Sequence, residues 1–285
     1  MNYETYYEIA DIVIKIDSPF PFFAHNGEDF RCEQKKADFV FHFQQTDNIP
    51  QFLDGKTKIG QSLWSDEYVD DNGQYCRAFL WEDQYYTEVS VVGEKEGTCY
   101  FSSSDILAQR AEEGFELLMY MCPEIVLLQF DTIVLHSSHL KIGERGLVFS
   151  GVSGAGKSTQ AELWEKMCGA QVLNGDRSAL RKIDGVWQVC GCPMCGSSNI
   201  HRKGRESLYA IVMLHQGTDN ALKQLKGAQA FREVMPQITT PLYHKEYANR
   251  VMNKIEDLIS SIPVYQYTCT KDETAVQVLK EALQL

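Results

Sequence analysis

Two strands joined by four residues, with a glycine loop at the far end of the second, constrain the fold of this chain most strongly. Thr132-Ile133-Val134-Leu135-His136-Ser137-Ser138-His139-Leu140-Lys141-Ile142 reads as a strand, and Gly143-Glu144-Arg145-Gly146 reads as a turn. The apolar run Leu147-Val148-Phe149-Ser150 follows at once. A connection this short forces the two strands to be antiparallel. A plain βαβ nucleotide fold would bring in a parallel strand through a helix, so a mixed sheet is expected. The second strand runs into Gly151-Val152-Ser153-Gly154-Ala155-Gly156-Lys157-Ser158, which fits G-x-x-x-x-G-K-[ST] (Walker A) at every fixed position. Thr159 to Met167 then carries good helix formers, which completes the strand, loop and helix order the motif requires.

The chemistry of that octet is specific. Gly151, Gly154 and Gly156 let the backbone curl so that successive N–H groups point into one concavity suited to an anion. A helix starting near Lys157 adds the positive end of its dipole. Lys157 would reach the terminal phosphates of a nucleotide, and the Ser158 hydroxyl would ligate Mg2+. The candidate nucleotide-binding set is Gly151, Val152, Ser153, Gly154, Ala155, Gly156, Lys157, Ser158 and Thr159; the competing reading is a glycine turn that happens to end in Lys-Ser. Downstream, Ala170-Gln171-Val172-Leu173 leads into Asn174-Gly175-Asp176-Arg177. A carboxylate at a strand end beside the phosphates can hold Mg2+ or accept the proton of an attacking hydroxyl, so Asp176 is a metal and catalytic candidate. Its competing reading is a turn aspartate.

Composition narrows the partners. With 27 basic and 39 acidic residues the formal charge is -12, which argues against nucleic acid and anionic membranes as partners. No run approaches about 18 consecutive apolar residues, so no membrane span is expected. Met1-Asn2-Tyr3-Glu4-Thr5 has neither a basic start nor an apolar core, so no secretory signal is expected, and the nine cysteines are expected to be reduced thiols in the cytoplasm. Cys190, Cys192 and Cys195, with His201 nearby, form a compressed set for zinc. Small thiols in a tight Gly-Cys-Pro-Met-Cys-Gly loop are the preferred reading.

Residues 1–100 read as β-rich, with strands at Ile9 to Ile16, Asp38 to Phe43, Arg77 to Trp81, Tyr85 to Val92 and Thr98 to Phe101. Asn26-Gly27, Asp54-Gly55 and Asp71-Asn72-Gly73 mark turns. Phe20, Phe22, Phe23, Tyr85 and Tyr86 read as core and sheet face. Ser102 to Ser104 opens a helix whose apolar positions recur through Leu107, Ala111, Phe115, Leu117, Leu118 and Met121. Pro123 to Phe130 is a further segment. The expected division is a β-rich domain at 1–100 and a nucleotide-binding domain at 101–285, with 101–130 as a connecting helical segment. Within the latter, Ser178 to Lys182 and Val186 to Val189 form a second hairpin about Asp184-Gly185. Leu208 to His215 is an apolar strand, Tyr247 to Ser260 a helix, Ile262 to Tyr267 a last strand, and Asp272 opens a terminal helix.

This order is a strand-end His136, a hairpin, G-x-S-G-x-G-K-S-T, a helix, Val-Leu-x-x-Asp-Arg, a second hairpin and a G-x-P-x-x-G-S loop. It resembles the HPr serine kinase/phosphorylase family and its peptide-modifying and amino-acid kinase relatives over about Asp131 to Leu285. The resemblance implies an α/β (α+β) mixed-sheet P-loop domain of the phosphoenolpyruvate-carboxykinase/HPr kinase type. It implies an ATP- and Mg2+-dependent phosphotransferase acting on a serine-type hydroxyl of a peptide, a protein or a small amino acid. Asp176 would be the general base, and His136 would lie near the phosphates. Taken alone, His136 is open to a structural role. Arg177, His201, Arg202, Lys203 and Arg205 are candidates to neutralise charge or bind an acidic acceptor. The family's first paired aspartate is Gly175 here, its glutamate after Ser158 is Thr159, and its glycine-rich C-terminal signature is missing, which makes HPr a poor expected substrate. The alternative is a nucleotide-binding regulatory or accessory protein without turnover. Carboxykinase chemistry lacks its Arg and Lys/His set, and the sequence leaves room for a homo-oligomer.

Overall fold

The computed structural model describes residues 2–22, 24–62, 64–81, 85–112, 116–196, 198–239 and 242–285, with the side chains of 81, 85 and 110–112 outside the description. Phe23 and Phe115, and the side chains of Tyr85 and Ala111, therefore lie outside the described residues. The protein is mixed α/β with two large mixed sheets, in two units: Met1–Phe130 with Pro241–Ala248, and Asp131–Thr240 with Asn249–Leu285.

The first unit holds one eight-stranded sheet. Its strands are β1 (Tyr3–Ile9), β2 (Ile12–Ser18), β3 (Phe39–Gln45), β4 (Thr57–Gln61), β5 (Ser65–Val69), β6 (Tyr75–Trp81), β7 (Tyr85–Val92) and β8 (Glu96–Phe101), in spatial order β1-β2-β3-β8-β7-β6-β5-β4. The run Ile9 to Ile16, expected as one strand, is instead the tip of the β1/β2 hairpin. Ala10 and Asp11 both sit at left-handed φ, 52° and 60°, and reverse the chain there. Phe22, Phe41, Phe43 and Phe101 are buried, and the Phe22 and Phe43 rings lie 5.1 Å apart between centroids. Residues 101–130, expected with the nucleotide-binding half, belong here instead. The expected long helix is α1 (Ser104–Glu112) followed by a separate 3-10 turn at Leu117–Met121, and Pro123 opens α2 (Pro123–Gln129). Ser90 Oγ donates to Tyr120 O at 2.5 Å, and the buried Arg77 guanidinium bonds Glu124 of α2 at 2.7 Å. Leu118, Met121, Ile125 and Leu128 are all buried, so the segment gains its stability from this sheet.

The second unit begins with β9 (Thr132–Ile142), β10 (Arg145–Ser150) and α3 (Lys157–Cys168), then β11 (Gln171–Asn174), β12 (Arg177–Ile183), β13 (Val186–Cys190) and β14 (Arg205–Gln216). Then come β15 (Ala221–Leu225), α4 (Ala228–Val234), α5 (Lys245–Ser261, which starts in the first unit), β16 (Val264–Cys269) and α6 (Glu273–Leu283). The expected hairpin is antiparallel, with Arg145 opposite Ile142 and Ser150 opposite Ser137. β10 also pairs parallel with β14, and β9, β12, β13 and β14 complete the circuit, so five strands close into a ring. β16 and β15 extend the sheet from β14. α3 buries Gln160, Ala161 and Trp164 at helical spacing, with Trp164 edge-on to Phe149 at 6.0 Å. Gly169, at φ 63°, ends the helix and turns the chain into β11. The Asp272 side chain caps α6 by accepting from Thr274 N at 2.9 Å. Among the described residues no helix is long and apolar enough to cross a membrane.

Candidate functional site

The glycine loop leaves β10 with three residues in conformations that glycine alone adopts freely: Gly151, Gly154 and Gly156 at φ 136°, 79° and 104°. Gly151 is fixed twice over, because a Cβ there would lie 2.8 Å from Leu214 O of β14. Gln216 Nε2, at the end of the same strand, donates to Gly154 O at 2.5 Å and pins the loop's crest. Lys157 opens α3 and is 8 % exposed; its Nζ donates to Gly151 O at 2.9 Å and Val152 O at 3.2 Å. Burial pulls the Lys157 amine below its ordinary value, and the charge of Asp176 partly opposes that fall. Ser158 is exposed and Thr159 half-buried.

β9 supplies the other wall. Its side chains alternate, so His136 and Ser138 face one side while Ser137 and His139 face the other and are fully buried. β11 and β12 run along the same edge of β9, interrupted at 175–176, where Ser137 N donates to Asp176 O at 2.9 Å. This break aims Asp176 at His136. His136 Nε2 lies 3.2 Å from Asp176 Oδ1, and Arg177 Nη1 donates to Asp176 Oδ2 at 2.7 Å. Burial alone would raise the Asp176 carboxyl. The hydrogen bond from His136 and the charges of Arg177, His136 and Lys157 outweigh it and hold the carboxyl below its ordinary value.

The glycine loop, Lys157, Ser158, His136 and Asp176 line one cavity of about 540 Å³. Thr159 lines it too, so most of the sequence-derived set meets in one place, while Gly151, Val152 and Ala155 are not among its lining residues. The basic candidates are dispersed. Arg177 is spent on Asp176, Arg202 Nη1 donates to Val172 O at 3.0 Å, and His201 Nδ1 faces Cys195 Sγ at 3.6 Å. Lys203 and Arg205 are exposed. Cys190 and Cys192 are buried and Cys195 is half-exposed. No cluster of three or more His, Cys, Asp or Glu side chains that could hold a metal occurs among the described residues.

Sequence reasoning missed Asn174, Ser198 and Lys271. Asn174 is fully buried; its Oδ1 accepts from Asp176 N at 2.8 Å and Arg177 N at 2.7 Å, while Nδ2 donates to Cys192 O at 2.8 Å and Met194 O at 3.0 Å. One side chain therefore joins the Asp176 turn to the 191–204 loop. The signal was an asparagine closing an apolar strand just before Gly-Asp, a setting in which asparagine bonds the backbone ahead of it. Ser198 fills the space beside Gly175, where a Cβ would collide with Ser198 Oγ. Gly196 lies against Asp176, and a Cβ there would be 2.9 Å from Asp176 Cγ. Lys271 lines the cavity beyond β16, and nothing in its sequence setting marks it.

Neither a protein-family model nor a curated protein sequence matches the chain. Among solved structures it is similar to the Hpr(Ser) kinase/phosphatase from Coxiella burnetii, at 12% identity over 53% of this chain and 92% of that one, with a TM-score of 0.30. That likeness is distant, and no activity or residue role follows from it.

Proposed function

We propose that this chain is an ATP- and Mg2+-dependent phosphotransferase that acts on a serine-type hydroxyl of a peptide, a protein or a small amino acid. One observation carries the reading: the glycine loop with Lys157 and Ser158, and the His136–Asp176 pair, line the same cavity. In this reading the loop amides from Gly151 to Ser158 cradle the polyphosphate. Lys157 leaves its two carbonyl partners for the terminal phosphates, where its amine meets a stronger acceptor. The donors available for Mg2+ are the Ser158 hydroxyl and the Asp176 carboxylate, hard oxygen ligands of the kind that ion takes alongside substrate phosphates. Bound there, Mg2+ would neutralise charge on the phosphates. Asp176, kept ionised by its neighbours, accepts the proton of the attacking hydroxyl, while His136 holds Oδ1 in position. Cytoplasmic location and self-association remain part of the proposal.

ATP turnover by the wild type, Lys157→Ala and Asp176→Asn tests it. Each variant should lose at least about a hundredfold in rate. Equal turnover in all three removes the enzyme reading.

A second reading, a nucleotide-binding regulatory protein without turnover, draws on the Asp176 oxygens, one engaged by His136 and the other by Arg177, and on Ser198 occupying the space beside Gly175. It requires thermal stabilisation by Mg2+-ATP with no phosphorylated product from any hydroxyl donor.

A further inference from the structure

We propose that Cys195 is a peroxide-reactive thiol, that Cys192 resolves it as a disulfide, and that this pair disables the Asp176 side of the cavity. The loss of turnover rests on the phosphotransfer reading; the thiol chemistry and its effect on the Asp176 turn do not.

All nine cysteines are in the reduced form, six of them buried, and Cys195 is one of three that are half-exposed. Its Sγ lies 3.6 Å from His201 Nδ1, in hydrogen-bond reach of an imidazole. That imidazole is placed to accept the thiol proton as the sulfur attacks, and the thiolate is the form that attacks. Three residues earlier, in the C-x-x-C spacing that suits a reversible dithiol, stands Cys192. Burial pushes the Cys192 thiol up to about 12, and its Sγ donates weakly to Arg177 O at 3.4 Å and to Met194 O at 3.7 Å. The outer thiol is thus set to react first, and the inner one, three residues earlier, is shielded from the oxidant. The proposed phosphoryl transfer uses neither thiol.

The segment 192–196, which carries both thiols, also bears on Asp176. Cys192 O and Met194 O hold the Asn174 amide, whose oxygen holds the Asp176 and Arg177 amides. Gly196, next after Cys195, lies against the Asp176 carboxylate with no room for a Cβ. Residues 192–196 form no helix or strand, so the segment can bend. A Cys192–Cys195 bond closes a tight ring through the two carbonyls that grip Asn174 and withdraws them from it.

The steps balance. The Cys195 thiolate attacks one oxygen of hydrogen peroxide; an S–O bond forms, the O–O bond breaks, and the departing hydroxide takes the proton held by His201 to leave as water. Sulfur is oxidised by two electrons and the peroxide is reduced. Cys192 sulfur then attacks Cys195 sulfur, the S–O bond breaks, and the hydroxyl leaves as water with the Cys192 proton.

The test treats the reduced full chain with hydrogen peroxide and maps peptides by mass, with dimedone as the sulfenic-acid trap. Wild type should yield a Cys192–Cys195 link two hydrogens lighter than the dithiol, and Cys192→Ser should instead carry dimedone on Cys195. Cys195 should react at least about tenfold faster than Cys32 and Cys168, the other half-exposed thiols, and His201→Asn should abolish that advantage. Oxidation should also speed amide hydrogen exchange at Asp176 and Arg177 in the wild type but not in Cys195→Ser, and stop ATP turnover until a dithiol reductant restores it. Reactivity no greater than that of Cys32 and Cys168, or no link, overturns the thiol chemistry. A link with unchanged exchange at Asp176 overturns the coupling. A reduced protein without turnover, whose link and exchange nevertheless change as stated, refutes the phosphotransfer reading and leaves the thiol switch standing.

Discussion

Replacing Asn174 with alanine should destabilise the second unit by about 3 kcal/mol and free the turn that carries Asp176. The side chain makes four hydrogen bonds of 2.7–3.0 Å from a fully buried position. At about 1 kcal/mol net per bond the loss sums to about 4 kcal/mol. The Asp176 amide adjoins the cavity and can recover water, which takes about 1 kcal/mol off that sum. Cys192 O and Met194 O lie among buried side chains and keep the penalty of an unpaired carbonyl. Asn174→Asp separates the two halves of the clamp, since a carboxylate still accepts from Asp176 N and Arg177 N but has nothing to donate to the two carbonyls. Urea unfolding gives the stability change. Amide exchange at Asp176 and Arg177 should rise roughly a hundredfold in Asn174→Ala and far less in Asn174→Asp. A loss under about 0.5 kcal/mol with exchange unchanged would refute the clamp.

Two further outcomes test neighbouring parts of the structure. Gly175→Asp should cost about 1–3 kcal/mol through its collision with Ser198, and Ser198→Gly should return most of that in the double variant; independent effects in the cycle would contradict the packing seen there. Burial holds His139 below its ordinary value of 6.5, so the unfolded chain binds that proton first as the pH falls. The contribution is complete above about pH 6.5 and drains below it, by at most about 1.4 kcal/mol per pH unit. Unfolding midpoints between about pH 8 and 5 should therefore fall in the wild type and flatten in His139→Gln, and equal slopes would rule out a neutral buried His139.

How much of this was legible in the sequence follows from how far each interaction reaches along the chain. The octet, the β9/β10 hairpin and the Asp272 cap are set by neighbours within a few residues, and there glycine, turn length and a capping carboxylate speak for themselves. The β1/β2 turn is just as local but was hidden, because Ala10 and Asp11 carry a left-handed turn without glycine. Closure of the five-stranded ring depends on β10 lying beside β14, some sixty residues later, and no local pattern encodes that pairing. Residues 101–130 were misassigned for the same reason: a helical period tells which face is apolar, not which sheet it covers, and the buried Arg77–Glu124 pair that decides it spans 47 positions. The site divides along the same line. The curled backbone of the glycine loop is a property of one short stretch and could be read directly. Asp176 owes its aim and its ionised state to His136, Arg177 and Asn174, so its identity could be guessed from a motif while its chemistry could only come from the fold.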